Sequence, residues 1–330
     1  MASLLGVGDL PEAVLQRARI SEKLHEHQLR DLRELLGVVL TDTKKVAILI
    51  DNLDGPWRPG ENVEHVSELL WGLLEVIDDI AQAFQRRDHW RKPAVVNVAV
   101  FLRSDIFAFI QPLAAEQDKL PIQRIVWDEP ELLRRMLDQR LEYGVLNRFD
   151  AQAIWKQLFP REVVGVPMWE FVIRTTLPRP RDVIYMVREA IYGAVNRGHQ
   201  TVTEQDLLDA REKYSEHIFR SILAEDDPRK EKLESILYEF AGCLKVISRS
   251  EIHERMMRAE VAPSDIEFYV DLLCDVGFLG IETADGFRYP RHEGERQLMR
   301  RVARSLAARG DRGEESFEIN AAFYQVLQIE

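Results

Sequence analysis

At 330 residues, 46% of them hydrophobic, the chain is long enough for two or three domains with sizeable cores. A net charge of −12 argues against a general binder of nucleic acid or anionic membrane. No apolar run reaches membrane-spanning length and the first 30 residues lack a signal-peptide core, so a soluble, cytoplasmic protein is expected.

Residues 11–40 carry leucines at helical spacing, with Pro11 suited to a first turn and Gly37 near the end. Five apolar residues, Val46 to Ile50, then read as a short buried strand that stops at Asp51, Asn52 and Asp54. Residues 52–60, with two glycines and two prolines, predict a loop at that strand's carboxyl end. Val66, Leu69, Leu70, Leu73, Leu74 and Ile77 predict the inner face of a long helix over 62–87. A second buried strand is expected over 94–102, ending at Arg103, Ser104 and Asp105, and a shorter one over 123–127. Strand, helix, strand, helix, strand is the rhythm of a parallel sheet.

After Asp128 the pattern is helical only. Helices are expected over 130–143, 150–158, 167–175 and 179–197. Another starts at Thr203, where Thr203 and Asp206 form a near capping box. Residues 225–228 (Glu-Asp-Asp-Pro) predict a linker. Beyond it come helices over 229–242, 248–257 and 263–275, then two strands around a turn at 284–286. Three helices and a β-hairpin make the winged-helix pattern. A helix over 294–308 and a final apolar segment, 317–329, close the chain. Cys243 and Cys274 lack metal-ligand spacing and read as core thiols, and no His/Cys/Asp cluster suggests zinc.

Together these pieces resemble the AAA+/STAND class of P-loop ATPases, which joins an α/β nucleotide-binding core to a helical lid and often a winged-helix domain. Three motifs carry the resemblance. Val46–Asp54 resembles a Walker B strand, which implies Asp51 as the Mg²⁺-side acid, Asn52 beside the nucleotide and Asp54 as the catalytic acid. Asn52 stands where such proteins carry a second acid, and an amide cannot take a proton from water as a carboxylate can, so weak hydrolysis is expected. Phe101-Leu102-Arg103-Ser104-Asp105 resembles a sensor 1 segment, implying a phosphate contact from Arg103. Leu177 to Ile184, Leu-Pro-Arg-Pro-Arg-Asp-Val-Ile, is similar to a sensor 2 entry into a lid helix, implying a phosphate contact from Arg181, with Arg179 the weaker candidate. Outside the resemblance, Asp51 fits an ordinary α/β strand end, Arg103 a salt bridge to Asp105 or Asp51, and Arg181-Asp182 helix-start charges.

The expected fold is therefore α/β followed by all-α. It comprises a partial P-loop NTPase-like core over 1–127, a helical lid over 128–227 and a winged-helix-like domain over 228–330. The Walker A loop, G-x-x-x-x-G-K-[S/T], is missing from the sequence; Gly6-Val7-Gly8-Asp9 has no Lys-Ser after it. A split or truncated ATPase, a degenerate relative, or a loop supplied by another polypeptide would each account for that. ATP and Mg²⁺ are expected only with a complementing Walker A segment.

One further feature concerns partners. Eight arginines between Arg288 and Arg312 face three acids, and Arg296, Arg300 and Arg304 share a helix face. They could contact nucleic-acid phosphates beside a winged helix, or dock on the acidic remainder of the chain. The helix over 263–275, which would read DNA, carries four acids and no Lys or Arg. A protein partner or self-assembly therefore fits better, and a DNA-binding regulator without enzymatic activity is the alternative.

Overall fold

Two apolar runs form a parallel pair. The computed structural model describes residues 45–53, 63–85, 95–113, 122–127, 129–144, 150–223, 232–291, 293–309 and 313–330, with isolated positions between 28 and 43. It is mostly helical with a small parallel sheet, and divides into two compact units, Met1–Leu120 and Pro121–Glu330. Asp54 lies outside the described residues, as does much of the helix expected over 11–40; the described positions from 28 to 39 are helical.

In the first unit β1 (Lys45–Ile50) pairs in parallel with β2 (Val95–Val100), in register from Lys45↔Val95 to Ile50↔Val100. The connection between them contains α1 (Val63–Gln85), and α2 (Ser104–Ile110) follows β2. Leu70, Ile106 and Ile110 are buried together, with Val66, Trp71 and Leu74 packed against them. Positions 66, 70 and 74 recur every four residues and define the inward face of α1. Leu69, expected inside, lies off that face and is 62% exposed. The outer face of the pair keeps Leu49 exposed, although parallel strands are ordinarily covered on both faces.

The second unit opens with residues 122–127, which, contrary to the expected strand, join no ladder among the described residues; Ile125 and Val126 are exposed. Five helices follow: α3 (Pro130–Gly144), α4 (Ala151–Leu158), α5 (Met168–Thr175), α6 (Pro180–Asn196) and α7 (Glu204–Leu223). A hairpin of β3 (Glu162–Val163) and β4 (Val166–Pro167), unforeseen from the sequence, separates α4 from α5. The turn between α6 and α7 is tied down by Asp206. Its carboxylate accepts from the Thr203 N–H at 2.9 Å, while the Asp206 N–H donates to the Thr203 hydroxyl at 3.3 Å, the reciprocal cap expected there. Arg197 and His199 also bond that carboxylate. Burial works against the Asp206 charge, and hydrogen bonds from Thr203, His199 and Arg197 outweigh it, holding its pKa well below the usual range.

Next come α8 (Leu233–Tyr238), shorter than expected, β5 (Val246–Ser248), α9 (Arg249–Arg258) and α10 (Ile266–Asp275). Ser248 and Glu251 form a full capping box at the start of α9. The hairpin of β6 (Leu279–Thr283) and β7 (Gly286–Arg288), the long α11 (Glu293–Arg309), β8 (Ser316–Ile319) and the short α12 (Tyr324–Leu327) complete the unit. The sheet order is β5-β8-β6-β7, so the last strand of the chain inserts between two earlier ones. The final segment also reaches α7, where the Val326 N–H donates to the Ser215 hydroxyl at 3.1 Å. One core runs from Leu133 to Leu327 through this whole unit, and both cysteines are buried in it as expected. Burial pushes the Cys274 thiol up to about 12. Among the described residues no helix is long and apolar enough to cross a membrane.

The β6 strand passes tightly over an aromatic ring. A Cβ at Gly280 would sit 2.9 Å from Tyr289 Cζ. Gly280→Ala is expected to destabilise the second unit by about 1–3 kcal/mol through overpacking. Urea unfolding followed by circular dichroism would read this, and an unchanged midpoint would exclude so close an approach.

Candidate functional site

The first part of the candidate site is the carboxyl edge of the parallel pair. Asp51 is the first residue beyond β1 and is exposed. Asn52 then turns the chain with a left-handed φ of 60°, and its N–H donates to Asp51 Oδ1 at 2.8 Å. An asparagine tolerates that conformation better than most residues. On the neighbouring strand the Phe101 N–H donates to the Ile50 carbonyl at 2.9 Å, carrying the pairing one step past β2. Arg103, two residues on, is exposed and takes extended backbone as the N-cap of α2. Because the strands are parallel and in register, Asp51, Asn52 and Arg103 leave the sheet at the same edge. No group of three or more His, Cys, Asp or Glu side chains among the described residues could hold a metal. A lone carboxylate is not itself a metal site, although Mg²⁺ in general binds through one or two carboxylates and keeps water and phosphate oxygens for the rest.

Arg181 belongs to the second unit. Arg179 is the N-cap of α6, Pro180 takes its first position and Arg181 follows, exposed. Pro at that position suits the fixed φ and the missing N–H. Directly after them Asp182 is buried, near enough to the Tyr214 hydroxyl of α7 for that group to favour its charge. Tyr214 is fully buried, and the same hydroxyl accepts the Leu177 N–H at 3.0 Å. The segment before α6 is thus pinned to α7 through the Leu177 N–H. Burial pushes the Asp182 pKa up, opposed by Arg179, Tyr214, His217 and Arg181. Sequence reasoning missed this pair; the available signal was a tyrosine at helical spacing with core residues Leu207, Ala210 and Ile218.

The arginine stripe pairs with acids of its own chain, one of the two readings open for it. Arg296 and Arg300 are buried and do not offer themselves to nucleic acid. Arg296 bonds Asp275 and lies 3.5 Å from Asp271. Arg300 reaches Asp271 at 2.7 Å, Glu267 at 3.1 Å and Glu315 at 3.3 Å. Arg304, half exposed, pairs with Glu267 at 3.6 Å and Glu315 at 3.4 Å. From α9, Arg249 adds ion pairs to Glu315 at 2.6 Å and to Glu267. Burial alone would lower the Arg300 pKa, but the Asp271 hydrogen bond and the charge of Glu315 raise it. The acidic face of α10 is therefore the partner of α11, which covers it.

Comparisons with known proteins follow these boundaries in part. Residues 131–223 match the FunZ-associated C-terminal helical domain, a span that runs from α3 to the end of α7. The chain is 22% identical over 273 residues to the putative transposon gamma-delta 80.3 kDa protein of Escherichia coli (strain K12). That alignment covers 77% of this chain and 37% of the relative, so the chain spans little more than a third of it. Among solved structures, the Aeropyrum pernix ORC2 protein in its ADP form is similar at a TM-score of 0.36 and 14% identity, covering 85% of this chain and 70% of that one. The same protein in its ADPNP-ADP complexes gives a TM-score of 0.35 and 13% identity, covering 82% and 68%. Likenesses of that size place no residue of this chain.

Proposed function

We propose that the chain is an ATPase-derived regulatory or switch module of AAA+/STAND type, which contributes to a nucleotide site without holding all of it. The observation that carries this proposal is the shared edge: a carboxylate, Asp51, and a guanidinium, Arg103, leave the carboxyl ends of two adjacent parallel strands. Ligands of open α/β sheets bind at that edge. Asp51 would hold Mg²⁺, Arg103 a phosphate oxygen and Asn52 the nucleotide side of the turn, with Asp54 the acid for water. Arg181 is assigned the phosphates from the helical part. Bound Mg²⁺ would supply charge neutralisation at the phosphates.

The division into a partial core over 1–127, a helical lid over 128–227 and a winged-helix domain over 228–330 belongs to the same proposal. The family match on 131–223 supports a helical module as a unit in its own right. The missing Gly-Lys-Ser/Thr loop is assigned to polypeptide outside this sequence, consistent with how little of the Escherichia coli relative the chain spans. That relative's name also suggests a role tied to mobile DNA. A DNA-binding reading through Arg296, Arg300 and Arg304 has less support, because two of the three are buried against carboxylates.

Thermal unfolding with Mg-ATP tests the proposal. The chain alone should show little rise in Tm. A version extended upstream to include a Gly-Lys-Ser/Thr loop should gain about 2.7 kcal/mol at a hundred times its Kd. Asp51→Ala, Arg103→Ala and Arg181→Ala should each shrink that gain. If neither form responds to Mg-ATP, the proposal fails.

A further inference from the structure

Two helices carry stripes that are exposed and without ion pairs among the described residues. On α1, Leu69 and Val76 are 62% and 45% exposed, and Glu68, Glu75 and Asp79 are exposed beside them. At 3.6 residues per turn these five positions and Gly72 fall in one sector of the helix. None of the three carboxylates has an ion pair among the described residues. Gly72 lies between the two apolar side chains, and a Cβ placed there meets nothing within 4 Å. A glycine inside a helix costs about 0.5–1 kcal/mol relative to alanine, and no neighbour among the described residues requires this one. It leaves a notch in the stripe.

The second stripe is on α11. Leu298 and Val302 are 62% and 42% exposed, Ser305 is exposed beside them, and Arg301 and Arg309 are exposed and without ion pairs among the described residues. This sector is distinct from the one that carries Arg296 and Arg300 into the carboxylates of α10. One basic face of the helix is consumed internally and another is free.

We infer that α1 of one copy docks on α11 of a second copy. Glu68, Glu75 and Asp79 meet Arg301 and Arg309, and a leucine or valine of α11 seats in the notch at Gly72. Positions 68–79 and 298–309 each cover about 16 Å of helix at 1.5 Å per residue, so the two stripes match in length. The contact is heterologous, since each copy offers α1 to one neighbour and α11 to the other; it builds a ring or an open row. It uses none of Asp51, Arg103 and Arg181 and stands apart from the nucleotide proposal.

Sedimentation velocity on the full chain tests it. Self-association should grow with concentration at low salt and weaken at about 1 M salt, where the Debye length falls to about 3 Å. Glu68→Lys/Glu75→Lys/Asp79→Lys should be monomeric, and so should Arg301→Glu/Arg309→Glu, because each then sets like charges against each other. An equimolar mixture of the two variants should associate again, with copies alternating. Gly72→Leu should fill the notch and weaken association at least tenfold while leaving the thermal unfolding temperature unchanged or higher. A wild-type chain that stays monomeric at every concentration at low salt would overturn the inference. So would charge reversals that leave association intact, or a mixture that fails to restore it.

Discussion

Arg300→Ala will unfold the second unit at a markedly lower denaturant concentration, with a loss of about 3–5 kcal/mol. The side chain of Arg300 is 6% exposed and that of Glu315 2% exposed. Removing the guanidinium leaves Glu315 buried with Arg249 and a half-exposed Arg304, and takes from Asp271 the closest of its cations. A buried charge that loses its partner keeps its desolvation cost without the offsetting attraction, which is why one-sided removal is so expensive. Arg300 also holds together parts far apart in the chain: α11 carries it, α10 supplies Asp271 and Glu267, and Glu315 precedes β8. Arg300→Lys should fall between wild type and alanine, because an ammonium cannot reproduce the planar fork of donors. Arg301→Ala, one residue along and exposed, should change stability by no more than about 0.5 kcal/mol. Urea unfolding of the three variants measures all of this. An Arg300→Ala midpoint close to that of Arg301→Ala would show that the buried network is not holding α11 in place.

That network also shows where the sequence could be read and where it could not. Both halves were visible separately: Arg296, Arg300 and Arg304 recur every four residues, and so do Glu267, Asp271 and Asp275. Matching spacing and opposite sign was the signal that one stripe covers the other. Local pattern does not say which helices become neighbours, and that step needed coordinates. The helices from α3 to α7 were legible because their apolar spacing and caps are local, as at Thr203 and Asp206. The four-residue β8 was not, since its pairing with Val246–Ser248 and Leu279–Ile281 depends on residues far away in sequence. Residues 123–127 failed for the converse reason: an apolar run becomes a strand only when a ladder receives it. At the candidate site, the acid after β1 and the arginine after β2 were read from strand ends, and the parallel register puts them at one edge. The buried Asp182 beside Arg181 was not read, because an acid in the first turn of a helix ordinarily faces solvent and the helix dipole.

Tyr214→Phe is expected to cost about 1–3 kcal/mol, since it strips the acceptor from the buried Leu177 N–H. Asp182→Asn tests the neighbouring buried carboxylate and should carry a distinct pH signature. The folded-state pKa of Asp182 is raised above its ordinary 3.8, so the native state retains a proton that the unfolded chain has lost. Its contribution to stability is therefore complete below about pH 4 and is lost as pH rises through the raised folded value. Asparagine neither gains nor loses that proton. The stability of Asp182→Asn relative to wild type should then climb as pH rises from about 4 towards neutrality. Thermal unfolding of both proteins between about pH 3.5 and 7 gives the difference directly, with the other carboxylates common to both. Parallel profiles would mean that Asp182 is as well solvated in the native chain as in the unfolded one. A wild type that gives up stability here retains a charge between Arg179 and Arg181, the two arginines nearest the start of α6. If that charge orients Arg181, Asp182→Asn in the upstream-extended protein should combine this pH-dependent relative gain with a smaller response to Mg-ATP, a combination that loss of packing cannot produce.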